Sequence, residues 1–365
     1  MSDTSATSAT TTTAPPVGRT GEWSRMRGIT PRAYICRRAP KPIDVNGRID
    51  DPSWAVAPWT DDFVDIEGPH KPEPPRFRTR AKMLWDDGFF YVAAEMDEPH
   101  VVATLIERNS VIYNDNDFEI FIDPDGDNHN YYEFEINAHG TIWELTLPKP
   151  YKDGGDPQLG TNLPGLKSAV SLRGTLNDSR DVDEGWSVEV AIPWKALAAY
   201  NRGRATPPRA GDVWRVNFSR VEWKYDVVDG KYVRHARDRC PEDNWVWSPT
   251  GVVDMHRPER WGFVWLAGDH DENTEAKPDP SLAARDALME TYYRQRVFRG
   301  QHGRWARSLS ELGFENACIQ LQGGGDVGFV ASASIPLNDG RVRILHIEPD
   351  SRMWFDDDDG DEEKR

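Results

Sequence analysis

Three cysteines in 365 residues, Cys36, Cys240 and Cys318, lie far apart and include no CxxC pair. That spacing excludes a disulfide framework and a cysteine-built structural zinc site. No run of about 18 apolar residues occurs, so no helix is expected to span a membrane. The first stretch, MSDTSATSATTTTAPPVG, lacks the apolar core of a secretory leader and reads as a polar, disordered tract. Positive charge is in deficit: 44 Lys and Arg against 61 Asp and Glu give a net charge of −17. Phosphate backbones and anionic lipid surfaces are repelled by such a chain, so neither nucleic acid nor membrane insertion is expected. Familiar catalytic signatures are missing too: GxSxG, HExxH, GxxxxGK[ST], and GxGxxG between a strand and a helix. The nine histidines show no ligand spacing, and His129, His139 and His256 fall where solvated loops or turns are expected.

What the chain does have is aromatic mass and period-two alternation. It carries 15 Trp, 11 Tyr and 13 Phe. Most are expected as core fillers, with one or two free to form a stacking platform. In FRTRAKMLW (77–85), apolar positions alternate with Arg78, Arg80 and Lys82, which predicts a half-buried strand. A hairpin signal at 86–88 and a returning strand, FFYVAAEM, follow. FEIFID, YYEFEIN, TIWELTL, GWSVEVAIPW, DVWRVNFSRVEW, NWVWS and WGFVWL supply further strands. Turn signals recur too often for helical crossovers, so the pattern is all-β, an antiparallel β-sandwich of immunoglobulin-like or jelly-roll-like type. A polar, proline-containing linker is expected at 267–280. After it the period becomes helical over 281–300, with Gly300 as the stop, and two hairpins follow, turning at 323–326 and 338–340. This predicts a small C-terminal α+β appendage, ending in an acidic disordered tail at 356–365.

The stretch NSVIYNDNDFEIFIDPDGDNHNYYEFEINAHGTIWEL (109–145) poses the functional question. Alternation sends Phe118, Ile120, Ile122, Tyr132, Phe134 and Ile136 to the core and leaves Glu119, Glu133, Glu135 and Asn137 on the other face. Tyr113 and Trp143 flank that row. Three readings fit: a solvated face, the paired carboxylates of a glycosidase, or the polar floor of a sugar site. A sugar offers apolar C–H faces and many hydroxyls, which call for an aromatic plate beside carboxylates and amides. DPDGDN (123–128) places Asp123, Asp125 and Asp127 at alternating positions around a glycine. The twelfth position of an EF-hand count falls on Phe134, so this is an Asx-rich turn or a calcium loop of another kind.

The runs GRIDDPSWAVAPWTDDF, TRAKMLWDDGFFYVAAEMDEPH, NDNDFEIFIDPDGDNHNYYEFEINAHGTIWEL and GWSVEVAIPWKAL, in that order, resemble family 9 carbohydrate-binding modules, more closely the family 9-like proteins of bacteria. The resemblance extends from about residue 41 to residue 266. It implies an antiparallel sandwich that binds carbohydrate, commonly glucan or xylan chain ends, often with calcium. It places Tyr113 where the family carries the first of two clamping tryptophans. Glu119 is the family glutamate, Glu135 stands where the family has arginine, and Met255 lies near the second tryptophan position, with Arg257 or Trp247 as its replacement.

The expectation is therefore a non-catalytic carbohydrate-binding sandwich over 40–266. A disordered or extended segment at 1–39 precedes it, and an α+β unit at 281–355 follows. Sugar contacts are expected from Tyr113, Glu119, Glu135, Asn137, Trp143, Trp247, Met255 and Arg257, and calcium contacts from Asp123, Asp125 and Asp127. Three rivals are set beside it: a glycoside hydrolase drawing its acid pair from Glu119, Glu133, Glu135 and Glu144, a haem module, and an assembly sandwich that has lost sugar binding. Met255 and His256 are adjacent and poorly placed to face one iron, so no haem is expected. The habit of the resembled family suggests an extracellular or periplasmic setting.

Overall fold

In the computed structural model, residues 20–202, 204–238, 241–268, 279–337 and 340–356 are described. Residues 1–19, Cys240, most of the expected linker, part of the second C-terminal turn and all but Asp356 of the acidic tail lie outside them.

Among the described residues thirteen strands build the sandwich, and two more form a separate hairpin. They are β1 (Ala33–Arg38), β2 (Val64–Asp65), β3 (Thr79–Trp85), β4 (Phe89–Asp97), β5 (Asp117–Asp123), β6 (Tyr131–Asn137), β7 (Ile142–Leu147) and β8 (Gln158–Leu159). Then follow β9 (Lys167–Arg173), β10 (Gly185–Pro193), β11 (Val213–Glu222), the hairpin β12 (Tyr225–Val228) and β13 (Lys231–Arg234), β14 (Asp243–Val246) and β15 (Gly262–Leu266). The strand order is β8-β7-β6-β5-β11-β15-β1-β3-β4-β10-β9, with β14 beside β11 and β2 beside β14. Strand β1 joins the two layers. Its first four residues pair with β15 and its last two with β3. Both pairings are parallel, while every other pairing in the sandwich is antiparallel, so the expected antiparallel scheme holds except at this one crossing strand.

Alternation decides which side chains fill the core. Phe118, Ile120 and Ile122 of β5 and Tyr132, Phe134 and Ile136 of β6 meet Met83, Val92, Val188 and Ile192 from the facing layer. Trp247 lies in this core, as do Trp186 and Trp194. The opposite side of β5, β6 and β7 is also covered, by Ile66, Met255, Trp261 and other side chains from loops. That second cover turns an outer sheet face into a pocket wall.

Residues 20–38 depart from the expected disordered or extended segment. Helix α1 (Thr20–Met26) docks its Trp23 on Tyr293, with ring centroids 5.2 Å apart, and β1 enters the sandwich. Trp23 and Met26, buried together, are the apolar pair that the polar composition of the segment hid. After the short α2 (Trp194–Leu197), the long helix is α3 (Leu282–His302). It runs past Gly300 and stops at Gly303, whose φ of +71° gives the left-handed C-cap. Strands β16 (Ile319–Gly323), β17 (Phe329–Pro336), β18 (Val342–Ile347) and β19 (Met353–Phe355) form the sheet behind it. This α+β unit grips the β5–β6 loop: Met353 N–H donates to Asp127 O at 2.9 Å, Arg285 to Gly126 O at 2.8 Å, and Asn128 Nδ2 to Ser351 O at 2.9 Å. Among the described residues no helix is long and apolar enough to cross a membrane. Cys36 is buried and Cys318 exposed, and both are free thiols.

Candidate functional site

The register of β5, β6 and β7 sets the site. Glu119 stands opposite Glu135, Phe121 opposite Glu133 and Asp117 opposite Asn137. Glu135 in turn faces Trp143, and Glu133 faces Leu145. On the far side of β5, Glu119 pairs with Ser219. One row across the sheet thus reads Ser219, Glu119, Glu135, Trp143. Neighbouring strands bring such partners to about 5 Å between Cβ atoms. The acids therefore form one floor.

Over that floor lies a cavity of about 290 Å³. Tyr113, Glu119, Glu133, Glu135, Trp143 and Met255 line it, joined by Tyr151, Asp254, His256, Arg237, Glu242 and Asn244 from loops and neighbouring strands. Tyr113 and Trp143 form one aromatic wall, their centroids 6.1 Å apart and planes tilted by 39°. Tyr113 is held by its own backbone, whose N–H donates to Glu135 Oε2 at 3.0 Å. Trp223 Nε1 donates to Tyr113 O at 2.9 Å, fixing the same short turn. Tyr151 and His256 form an edge-to-face pair at 4.4 Å, and Tyr131 OH contacts His256 Nδ1 at 3.0 Å. Met255 sits in the apolar lining beside Trp143 and Trp261.

Three expected sugar contacts are structural instead. Asn137 is fully buried and closes the β6–β7 turn: its Oδ1 accepts from His139 N and Thr141 N, and its Nδ2 donates to Leu105 O and Asp115. The alternation that puts Asn137 on the polar face is correct, but the turn and the segment at Leu105 and Asp115 take up its polar atoms. Trp247 points into the core, edge-on to Tyr34. Arg257 is buried between Asp254 and Glu22, at 3.0 and 3.3 Å. Glu144, on the other face of β7, is held by Arg108, Tyr132 OH and Leu163 N and does not reach the cavity. His129, expected in solvent, is buried with Nε2 2.9 Å from Asp350 O.

The floor has unusual electrostatics. Burial pushes Glu119 up to about 7. Burial also drives Glu135, Glu133 and Asp117 well above the carboxylate range, and the Glu119 charge adds to each. His256 is pushed down to about 4 by burial, so it is neutral at pH 7. A carboxyl with a raised folded-state pKa stabilises the fold below its unfolded value and loses that contribution as pH climbs through the folded value. In chelator, stability should therefore fall between pH 5 and 8, and Glu119→Gln should flatten that fall. Urea unfolding of both proteins across that range checks this, and equal slopes would contradict it.

Asp123, Asp125 and Asp127 also converge, each offering an oxygen within 4.8 Å of the others. Asp123 accepts from Gly126 N and Asn128 N, each at 2.9 Å, which folds the loop. Gly126 there adopts φ +67°, a left-handed turn that glycine takes without strain. Asp125 Oδ2 is buried and has no hydrogen-bond partner among the described residues. Arg202 approaches Asp127 Oδ2 at 2.8 Å. Arg352 approaches the same oxygen at 3.8 Å, and Arg204 and Arg215 lie near Asp125 and Asp123. The three converging carboxylates form an oxygen-rich set of the kind a hard cation takes.

Residues 45–206 match the family model described as carbohydrate family 9 binding domain-like. Over this segment the chain is similar to family 9 carbohydrate-binding domains. Exoglucanase XynX of Acetivibrio thermocellus is 29% identical over 121 residues, covering 33% of this chain and 9% of that protein. Endo-1,4-beta-xylanase A of Thermoanaerobacterium saccharolyticum is 31% identical over 120 residues, again 33% of this chain and 9% of that protein. The chain thus spans about a tenth of the length of these relatives. A family 9 module of Caldicellulosiruptor kristjanssonii, solved with cellotriose, shares 16% identity over 68% of this chain and 100% of that chain, with a TM-score of 0.42. Its complex with glucose gives 16% over 65% and 97%, with a TM-score of 0.41. The sandwich continues past the matched segment, because β11, β14 and β15 complete the same sheet up to Leu266.

Proposed function

We propose that the chain is a non-catalytic carbohydrate-binding protein whose sugar lies in the cavity over β5, β6 and β7. The observation that carries this reading is the aromatic wall of Tyr113 and Trp143 set directly beside buried carboxylates in one cavity. The wall takes the C–H face of a pyranose, and the carboxyls and Asn244 take hydroxyls. Glucan and xylan oligosaccharides are the proposed ligand class. Glu119 and Glu135 are cross-strand neighbours on one wall of the cavity, an arrangement that supports binding of a sugar laid over them. Calorimetry against cello- and xylo-oligosaccharides tests the reading. Binding should occur and weaken about tenfold or more in Tyr113→Ala, a loss near 1.4 kcal/mol. Absence of binding to every sugar would leave an assembly sandwich as the better reading.

Calcium is proposed at Asp123, Asp125 and Asp127. There it would neutralise the β5–β6 loop that the α+β unit grips. Bound calcium would hold Asp127, which burial otherwise pushes up to about 7, in its ionised form. At calcium concentrations about 100-fold above Kd, stabilisation should reach about 2.7 kcal/mol. Thermal unfolding in calcium and in chelator should differ for wild type, and by clearly less for Asp125→Asn. Equal midpoints for wild type would refute the site.

A further inference from the structure

The floor of the sugar cavity holds more carboxylate than a sugar requires. Asp117, Glu119 and Glu135 each present an oxygen within 4.8 Å of the other two. All three are buried, with relative exposures of 0%, 5% and 1%. Asp117 Oδ1 accepts from Val221 N at 3.1 Å, while Asp117 Oδ2 is buried without a hydrogen-bond partner among the described residues. Glu133 Oε2, on the same face, is likewise without one, its nearest basic atom being His256 Nε2 at 3.9 Å. That imidazole is neutral at pH 7 and supplies no counter-charge. The cavity's one arginine, Arg237, is paired with Glu242. Among the described residues no lysine or arginine pairs with these four acids, whose one basic neighbour is His256.

Buried carboxyls that close repel one another unless they are protonated or share a cation. Oxygens within 4.8 Å of one another need only small side-chain shifts to share one ion at the 2.3–2.6 Å of a calcium–oxygen bond. The set is all oxygen, which selects hard cations and disfavours zinc or copper.

We propose that Asp117, Glu119 and Glu135 hold a divalent cation of the calcium or manganese type, with Glu119 and Glu135 in the cavity floor and Asp117 buried beside them. This site is separate from the Asp123 loop and faces the aromatic wall instead of the α+β unit. Three carboxylates leave positions open toward the cavity on an ion of six to eight ligands. Given the carbohydrate reading above, on which this consequence rests, adjacent sugar hydroxyls fill those positions, and the cation makes the sugar affinity metal-dependent.

Manganese serves as the probe. Crystals of the full chain soaked in Mn²⁺ should show an anomalous peak at bonding distance from Asp117, Glu119 and Glu135, and an empty floor would overturn the proposal. In solution, Asp125→Asn should still take up Mn²⁺ by calorimetry, and adding Glu119→Gln and Glu135→Gln to it should weaken that uptake at least tenfold. Unchanged uptake in that triple variant would overturn the proposal, as would glucosamine binding in chelator with no metal uptake, because an ammonium would then be the cation. Cello-oligosaccharide titrations with Mn²⁺ and with chelator complete the test. Metal uptake without any sugar binding supports the cation site and removes the carbohydrate reading. Sugar binding without metal uptake does the reverse.

Discussion

Trp247→Ala should destabilise the protein by about 3–5 kcal/mol, as large-to-small changes in an aromatic core do. Trp247 is 2% exposed and packs among Tyr34, Phe218 and Val264. Its ring lies so close over Gly262 that a Cβ there would stand 2.3 Å from Trp247 Cζ3. The glycine and the tryptophan are thus one packing unit, and no part of the ring is left for a ligand. Urea unfolding checks the loss. Trp247→Phe, which keeps most of the packing, should leave sugar affinity unchanged. A variant at 247 that lost sugar affinity while keeping its stability would return this tryptophan to the binding site.

Removing the Arg220 charge should cost a similar amount, about 3–5 kcal/mol, the range for breaking a buried pair by deleting one partner. Arg220 is fully buried and bridges Glu98 Oε2 at 2.8 Å and Glu222 Oε2 at 2.9 Å. Its Nη1 also donates to Thr79 Oγ1 at 3.1 Å and to Asp97 O at 3.0 Å, joining β11 to β3 and β4 in the facing layer. Without the guanidinium, two buried carboxylates face each other. Burial already holds Glu222 well above its ordinary range, with the Glu98 charge next in weight. Arg220→Met keeps the volume and removes the charge, so its loss of stability isolates the electrostatic part. Adding Glu98→Gln and Glu222→Gln to it should recover most of that loss. A change under about 1 kcal/mol for Arg220→Met would mean that the bridge carries little of the sandwich's stability.

Much of this arrangement is legible in the sequence. Period two assigns both faces of β5 and β6 residue by residue, because burial of one face fixes register. It places Glu119 and Glu135 on one wall and Tyr113 and Trp143 at its ends. It also puts Glu133 there, although only the structure shows that residue in the same cavity. Tyr151, His256 and Arg237 carried no such signal, since they arrive on loops and a distant hairpin whose path depends on tertiary packing. Asn137 was misread for a local reason: turn closure and ligand binding call for the same amide, and periodicity does not distinguish them. The helix stop at Gly303 instead of Gly300 has a similar origin. Two glycines three residues apart offer the same C-cap, and only the backbone shows which one turns left-handed.

The central claim is that sugar lies against Trp143 on the outer face of β5, β6 and β7. Fluorine NMR of protein labelled with 5-fluorotryptophan, titrated with cello- and xylo-oligosaccharides, tests it directly, with signals assigned by single Trp→Phe variants. The Trp143 signal should move with ligand while those of Trp247 and Trp186 stay fixed. A titration in which another tryptophan signal moves and that of Trp143 does not would contradict it.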